Sequence, residues 1–140
     1  MEFYLMWLKK AMTDLKTAKK LFREDEPILD TSVYHTQQCA EKAFKGYLAF
    51  KKQPIQKTHD LAVLVEICGQ LDEEFRKFMD DAAILGPYCD AFRYPGNQDE
   101  PDVEEAADAI TRAEKILSFV EGIIKNELKA RGEETDELFK

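Results

Sequence analysis

No apolar run in this chain approaches the ~20 residues a membrane-spanning helix needs, and no signal-peptide core with a cleavage site opens it. Glycine is sparse: the six present are scattered, and none belongs to a GxGxxG or GxxxxGKS/T arrangement, which removes the familiar phosphate-cradling loops. The three cysteines, Cys39, Cys68 and Cys89, are odd in number, widely spaced and without a Cys-x-x-Cys pair. They read as buried thiols of a reducing compartment rather than a disulfide framework, and a cytoplasmic location is expected. Histidine is limited to His35 and His59, and the residues three before them are Ser32 and Gln56, so the Glu-x-x-His motif of di-iron bundles is missing. His35 and Cys39 stand one helical turn apart, but no further ligands accompany them in sequence; neither a metal nor a cofactor is expected. No alternating apolar-polar strand pattern and no internal repeat is found.

What is present is helical periodicity. With 34% charged and 44% hydrophobic residues in 140, the chain suits one globular domain around one core, here residues 1–131. Helix one covers about residues 3–24, with Leu8, Ala11, Met12, Leu15, Ala18 and Phe22 in one stripe. After Pro27, Asp30 or Thr31 can cap a second helix running to about Lys51, where Pro54 stops it. Thr58 then caps a shorter helix with Leu61, Leu64, Val65 and Cys68, broken near Gly69. Phe75, Phe78, Met79, Ala82 and Leu85 mark a fourth, ending at Gly86-Pro87. A loop over residues 88–101 follows. Asp102 and Glu105 have capping-box spacing, and Val103, Ala106, Ile110, Ala113, Leu117, Val120, Ile124 and Leu128 continue a long last helix. Residues 132–140 form an acidic tail expected to fray. The pattern predicts an all-α, antiparallel up-and-down helical bundle of four main helices plus a short extra one.

The second helix has an unusually specified polar side. Val33, Ala40, Phe44, Tyr47 and Leu48 can face the core, while Gln38, Glu41 and Lys45 form a second stripe flanked by Gln37 and Lys42. Amides, a carboxylate and two ammonium groups thus fall within about two turns, roughly 11 Å of helix. That is a plausible polar site.

Charge is unevenly spread. The chain carries a net −8, which argues against general nucleic-acid affinity, yet residues 1–60 hold 11 basic against 8 acidic groups and residues 61–140 hold 9 against 20. Lys9, Lys16, Lys20 and Arg23 share one side of helix one, either as a solvated face or as a local strip for phosphate. In Lys57-Thr58-His59-Asp60-Leu61, Thr58 can cap, Asp60 can complement the helix dipole and His59 can bond locally. Alternatively, His59 is a titratable imidazole at an anion-favouring helix start. Arg93 lies among aromatics just before Tyr94-Pro95-Gly96. It either holds its loop by pairing or stacking, or presents its planar fork to a phosphate or carboxylate.

Together these segments resemble the HEPN family (higher eukaryotes and prokaryotes nucleotide-binding). The resemblance is carried by the run from Tyr34 to Leu48, YHTQQCAEKAFKGYL, by Thr58-His59-Asp60-Leu61 and by Arg93-Tyr94-Pro95. Trp7, Ala11, Asp14, Leu15 and Ala18 also fit, as does the alanine-rich last helix. It covers roughly residues 3–128. It implies a four-helix bundle with an added short helix, commonly a homodimer. It also implies the substrate-binding half of a pair, toxin–antitoxin-like, whose other half is a minimal nucleotidyltransferase carrying the metal-binding carboxylates. Other members are metal-independent RNases marked by an arginine and a histidine with four to six residues between them. Here that window after Arg93 holds Gln98, Asp99 and Glu100, and neither histidine follows any arginine at that distance.

The expectation is therefore a non-catalytic module for a nucleotide or RNA end. Its candidate ligand-binding residues are Gln38, Glu41, Lys42, Lys45, His59, Asp60, Arg93 and Tyr94. The alternative is an RNase in which His59, brought near Arg93, moves the proton while Arg93 stabilises developing charge. A dimeric scaffold without ligand is a further alternative.

Overall fold

Five α-helices make the structure, a computed structural model that describes residues 2–96 and 99–133: α1 Phe3–Phe22, α2 Leu29–Phe50, α3 Leu61–Leu71, α4 Met79–Leu85 and α5 Val103–Ala130. No strand occurs among the described residues, and no described helix is long and apolar enough to cross a membrane. The all-α bundle is as the periodicity predicts.

α1 and α2 pack as an antiparallel hairpin with the most extensive contact in the molecule. At one end the Ser32 hydroxyl donates to the Ala18 carbonyl at 2.8 Å. Near the other, a Cβ built on Gly46 would lie 2.9 Å from Leu8 Cδ2 and 3.3 Å from Trp7 Cβ, so glycine lets the helices settle at this spacing without Leu8 or Trp7 shifting. α5 lies against both, while α3 and α4 close the remaining side of α2. Leu8, Ala11, Leu15 and Ala18 of α1, Val33, Ala40, Phe44, Tyr47 and Leu48 of α2, and Ala106, Ala113, Leu117, Val120, Ile124 and Leu128 of α5 are buried as their spacing predicts. Phe44, Phe75, Phe78 and Phe119 form the aromatic centre, with ring centroids 5.1–6.4 Å apart in edge-on or tilted pairs.

Several boundaries differ from expectation for local reasons. α1 stops at Phe22. α2 begins one residue before Asp30, with Ile28 at its N-cap, so Asp30 sits inside the first turn and accepts from the Thr31 N–H at 2.7 Å. Asp60, not Thr58, caps α3: its Oδ1 accepts from the Ala62 and Val63 N–H groups, and Thr58 Oγ1 accepts from the Asp60 N–H. The expected fourth helix splits into a 3₁₀ segment, Glu73–Phe78, and the short α4, followed by a 3₁₀ turn, Gly86–Cys89. In a 3₁₀ turn residues three apart eclipse, and this places Phe75 and Phe78 together in the core. Met79, expected inward, is exposed instead.

Asp102 caps α5 as predicted, its Oδ1 accepting from the Glu105 N–H at 2.7 Å. The Glu105 carboxylate accepts from the Tyr88 hydroxyl at 2.7 Å, tying the 3₁₀ turn to the start of α5. Of the thiols, Cys39 and Cys68 are buried while Cys89 is only half-buried, a departure from the expectation for all three. Residues 134–140, most of the acidic tail, lie outside the described residues, as do 97 and 98.

Candidate functional site

The polar stripe of α2 is not a solvated face. After α2, Lys52 takes a left-handed conformation (φ 58°) and the Gln53 N–H donates to the Leu48 carbonyl at 2.9 Å, which turns the chain back. The connector to α3 then runs over α2 and brings His59 onto the stripe. Glu41, buried, accepts from Lys45 Nζ at 3.0 Å and from His59 Nδ1 at 3.0 Å. Gln37, fully buried, donates from Nε2 to the His59 carbonyl at 3.2 Å and accepts through Oε1 from Gln38 at 2.7 Å. Since a carboxylate can only accept from the ring, His59 carries its proton on Nδ1 when neutral and keeps Nε2 for solvent.

A second buried carboxylate sits on the other flank of α2. Asp14 of α1 accepts from His35 Nδ1 at 2.8 Å and from Lys42 Nζ at 2.7 Å. Burial alone would raise the Asp14 pKa, but the hydrogen bonds and charges of His35 and Lys42 outweigh it and hold the carboxyl below the usual range. Both histidines of the chain are therefore fixed by Nδ1 on a buried carboxylate that also holds a lysine. Asp14 is not among the candidate site residues read from the sequence. Its position on the apolar stripe of α1, between Ala11 and Ala18, is the signal that could have found it, because a carboxylate there requires a partner.

Arg93 meets neither carboxylate. Its guanidinium lies over the Tyr34 ring, 4.2 Å from the centroid, and makes no ion pair among the described residues. An open hollow of about 300 Å³ surrounds it, lined by Asp30, Thr31, Tyr34, His35, Phe92 and Arg93. Phe92 stacks on Tyr88 with centroids 6.1 Å apart, so the Tyr88–Glu105 bond supports the loop from beneath. Tyr94, beside Arg93 in sequence, is exposed.

The candidate residues thus divide into three neighbourhoods. Gln38, Glu41, Lys45, His59 and Asp60 gather beside the α3 start. Lys42 joins Asp14 and His35 on the α1 side, and Arg93 stands on Tyr34 near the beginning of α2. His59 borders a separate hollow of about 430 Å³ with Leu61, Ala82, Pro87 and Cys89, which does not include Arg93. The histidine sharing a hollow with Arg93 is His35.

Among the described residues, no group of three or more His, Cys, Asp or Glu converges as ligands. The Cys39 thiol donates to the Ala113 carbonyl, and burial drives its pKa upward. The four lysines and arginines expected along α1 do gather in part: Lys16, Lys19, Lys20 and Arg23 line a shallow surface hollow with Glu24, and Lys19 pairs with Glu114 of α5.

The family model described as HEPN domain matches residues 4–123. Among solved structures, the chain is similar to TT1696 from Thermus thermophilus, with a TM-score of 0.74 and 26% identity over 87% of this chain and 98% of that one. It is likewise similar to ST0689, an archaeal HEPN homologue, with a TM-score of 0.70 and 27% identity over 89% of this chain and 100% of that one. No curated protein gives a significant match.

Proposed function

The chain belongs to the HEPN domain family, and on that footing we propose that it is a non-catalytic module that holds a nucleotide or an RNA end in the Arg93 hollow. The observation that carries this reading is the state of Arg93. Arg93 holds its guanidinium carbon 4.2 Å from the Tyr34 ring centroid, has no carboxylate partner among the described residues and lines the hollow, so its planar fork is available to a phosphate. Phe92, Tyr34 and His35 supply flat surfaces against which a base can rest. The partner is a minimal nucleotidyltransferase, which brings the metal-binding carboxylates this chain lacks, in a toxin–antitoxin-like pair built on a homodimer.

The test is direct. End-labelled structured RNA and free mononucleotides are incubated in chelator with the protein and with Arg93→Ala, and both binding and fragments are followed. Binding without fragments, weakened about tenfold or more by the substitution, is the expected result. Cleavage by the unmodified protein alone overturns the non-catalytic reading.

One observation favours a second reading, metal-independent RNA cleavage at the same hollow. His35 has Nδ1 held by Asp14, leaving Nε2 as a base beside Arg93. This differs from the sequence expectation, which assigned the role to His59. Fragments produced by the unmodified protein and abolished by His35→Ala, with His59→Ala still active, would establish it.

A further inference from the structure

At the far end of α2 from Arg93 lies a groove that the proposed function leaves unused and that stands independently of it. The first turns of α1 form one wall with Phe3 and Trp7, whose rings meet edge-on at 5.9 Å. The last two turns of α2 contribute Lys45, Leu48 and Ala49, and the turned-back connector closes the space with Lys52, Gln53, Pro54, Ile55 and Gln56. From Tyr34 to Leu48 is fourteen residues, about 21 Å of helix, so this groove is remote from the Arg93 hollow.

Three features define what fits. The first is size: the cavity holds about 220 Å³, below the ~300–1,000 Å³ of sites for drug-sized ligands, so it takes one ring system. The second is surface. Phe3 is 48% and Ile55 68% exposed, large apolar areas that an occupant would cover. The flat rings of Trp7 and Phe3 offer an aromatic guest edge-on or offset stacking.

The third is charge. Two lysines line the groove and no carboxylate does. Lys45 is already committed: its Nζ bonds Glu41 at 3.0 Å and lies 5.7 Å from the Trp7 ring centroid. Lys52 is exposed and has no hydrogen bond or ion pair through its side chain among the described residues, whereas its neighbour Lys51 pairs with Glu127. Its left-handed backbone places it at the tip of the turn that closes the groove.

We infer that this groove is a binding site for a small planar anion, an aromatic ring carrying one carboxylate or phosphate, with the ring against Trp7 and Phe3 and the acid on Lys52. Such a ligand is an aromatic acid whose ring carries either a carboxylate or a phosphate, and the experiment separates the two.

Trp7 is the chain's single tryptophan, so its fluorescence reports on the groove directly. The protein is titrated with phenylacetate and with phenyl phosphate, and in parallel with their uncharged counterparts, phenylacetamide and phenol, and with hexanoate as an acid lacking a ring. The expected result is a saturable Trp7 signal for one of the two aromatic anions, weakened about tenfold in its uncharged counterpart and in Lys52→Gln. Ile55→Glu, a substitution at an exposed position, should abolish the response, while Arg93→Ala leaves it unchanged. No saturable signal from either aromatic anion overturns the inference. So does equal binding of the uncharged counterparts or of hexanoate, or indifference to Lys52→Gln in a variant whose helical circular dichroism matches the parent.

Discussion

Glu41 and Lys45, one turn apart on α2, form an ion pair that the bundle removes from water: their side chains are 5% and 8% exposed and the Nζ–Oε2 distance is 3.0 Å. Pairs at this spacing on an open helix face contribute a few tenths of a kcal/mol. In a buried pair the sign of the effect depends on what is removed. Glu41→Ala strands the Lys45 ammonium and frees the His59 ring, and is expected to cost about 3–5 kcal/mol in urea denaturation. Replacing both partners with apolar residues, Glu41→Leu with Lys45→Met, should recover most of that loss. If the double variant is no more stable than the single one, Glu41 acts chiefly through His59.

The start of α3 offers a cleaner comparison. Asp60 accepts from two backbone N–H groups of the first turn, whereas Thr58 accepts only from the Asp60 N–H outside the helix. Asp60→Ala should cost about 1 kcal/mol and Thr58→Ala clearly less, read as midpoint shifts at unchanged denaturant dependence.

Asp14 gives the fold a dependence on acid. Its carboxyl pKa is lower in the folded state than the ordinary 3.8, because the His35 and Lys42 contacts outweigh burial. A group with a depressed folded pKa contributes stability that is fully present above the unfolded value and is lost as pH falls through the folded one. The difference in stability between the parent protein and Asp14→Asn should therefore be constant near neutrality. It should narrow once the pH drops below about 3.8, with further loss at still lower pH.

The three thiols should react unequally. Burial drives the Cys39 thiol pKa up and pushes Cys68 to about 12, and both donate to backbone carbonyls inside the core. Cys89 is half-buried at the edge of the His59 hollow. One equivalent of a maleimide or dithiobis(nitrobenzoate) should be consumed by the native protein, lost in Cys89→Ser, and three equivalents in denaturant.

Much of this fold is legible in the chain because helix burial has a period. The stripes of α1, α2 and α5 each repeat every three to four residues, and the Asp102 cap obeys local rules. Where local rules admit two answers, the sequence falls short. Thr58 and Asp60 are both good N-caps two residues apart, and only the course of the connector decides between them. Phe75 and Phe78 are three apart, a spacing that suits an α-helix and a 3₁₀ turn equally.

The site shows the same division. Arg93 is conspicuous beside Tyr94-Pro95-Gly96, but its partner Tyr34 comes from a helix far earlier in the chain. Glu41 and Lys45 look like surface residues until the segment returning from Lys52 covers them. Burial of a polar stripe is a tertiary fact, and no window along the chain contains it.

Gly46 lies outside the Trp7 groove yet acts as its gauge. Because nothing but hydrogen stands between its Cα and the Leu8 and Trp7 side chains, the first turns of α1 settle closely on α2. Trp7 is thereby set at a fixed distance from Lys45. Adding a single methyl group there would work as a wedge, lifting the wall that carries Phe3 and Trp7 and widening the aperture. The selectivity of a surface cleft is in this way governed from beneath its floor, by a residue no ligand would ever touch.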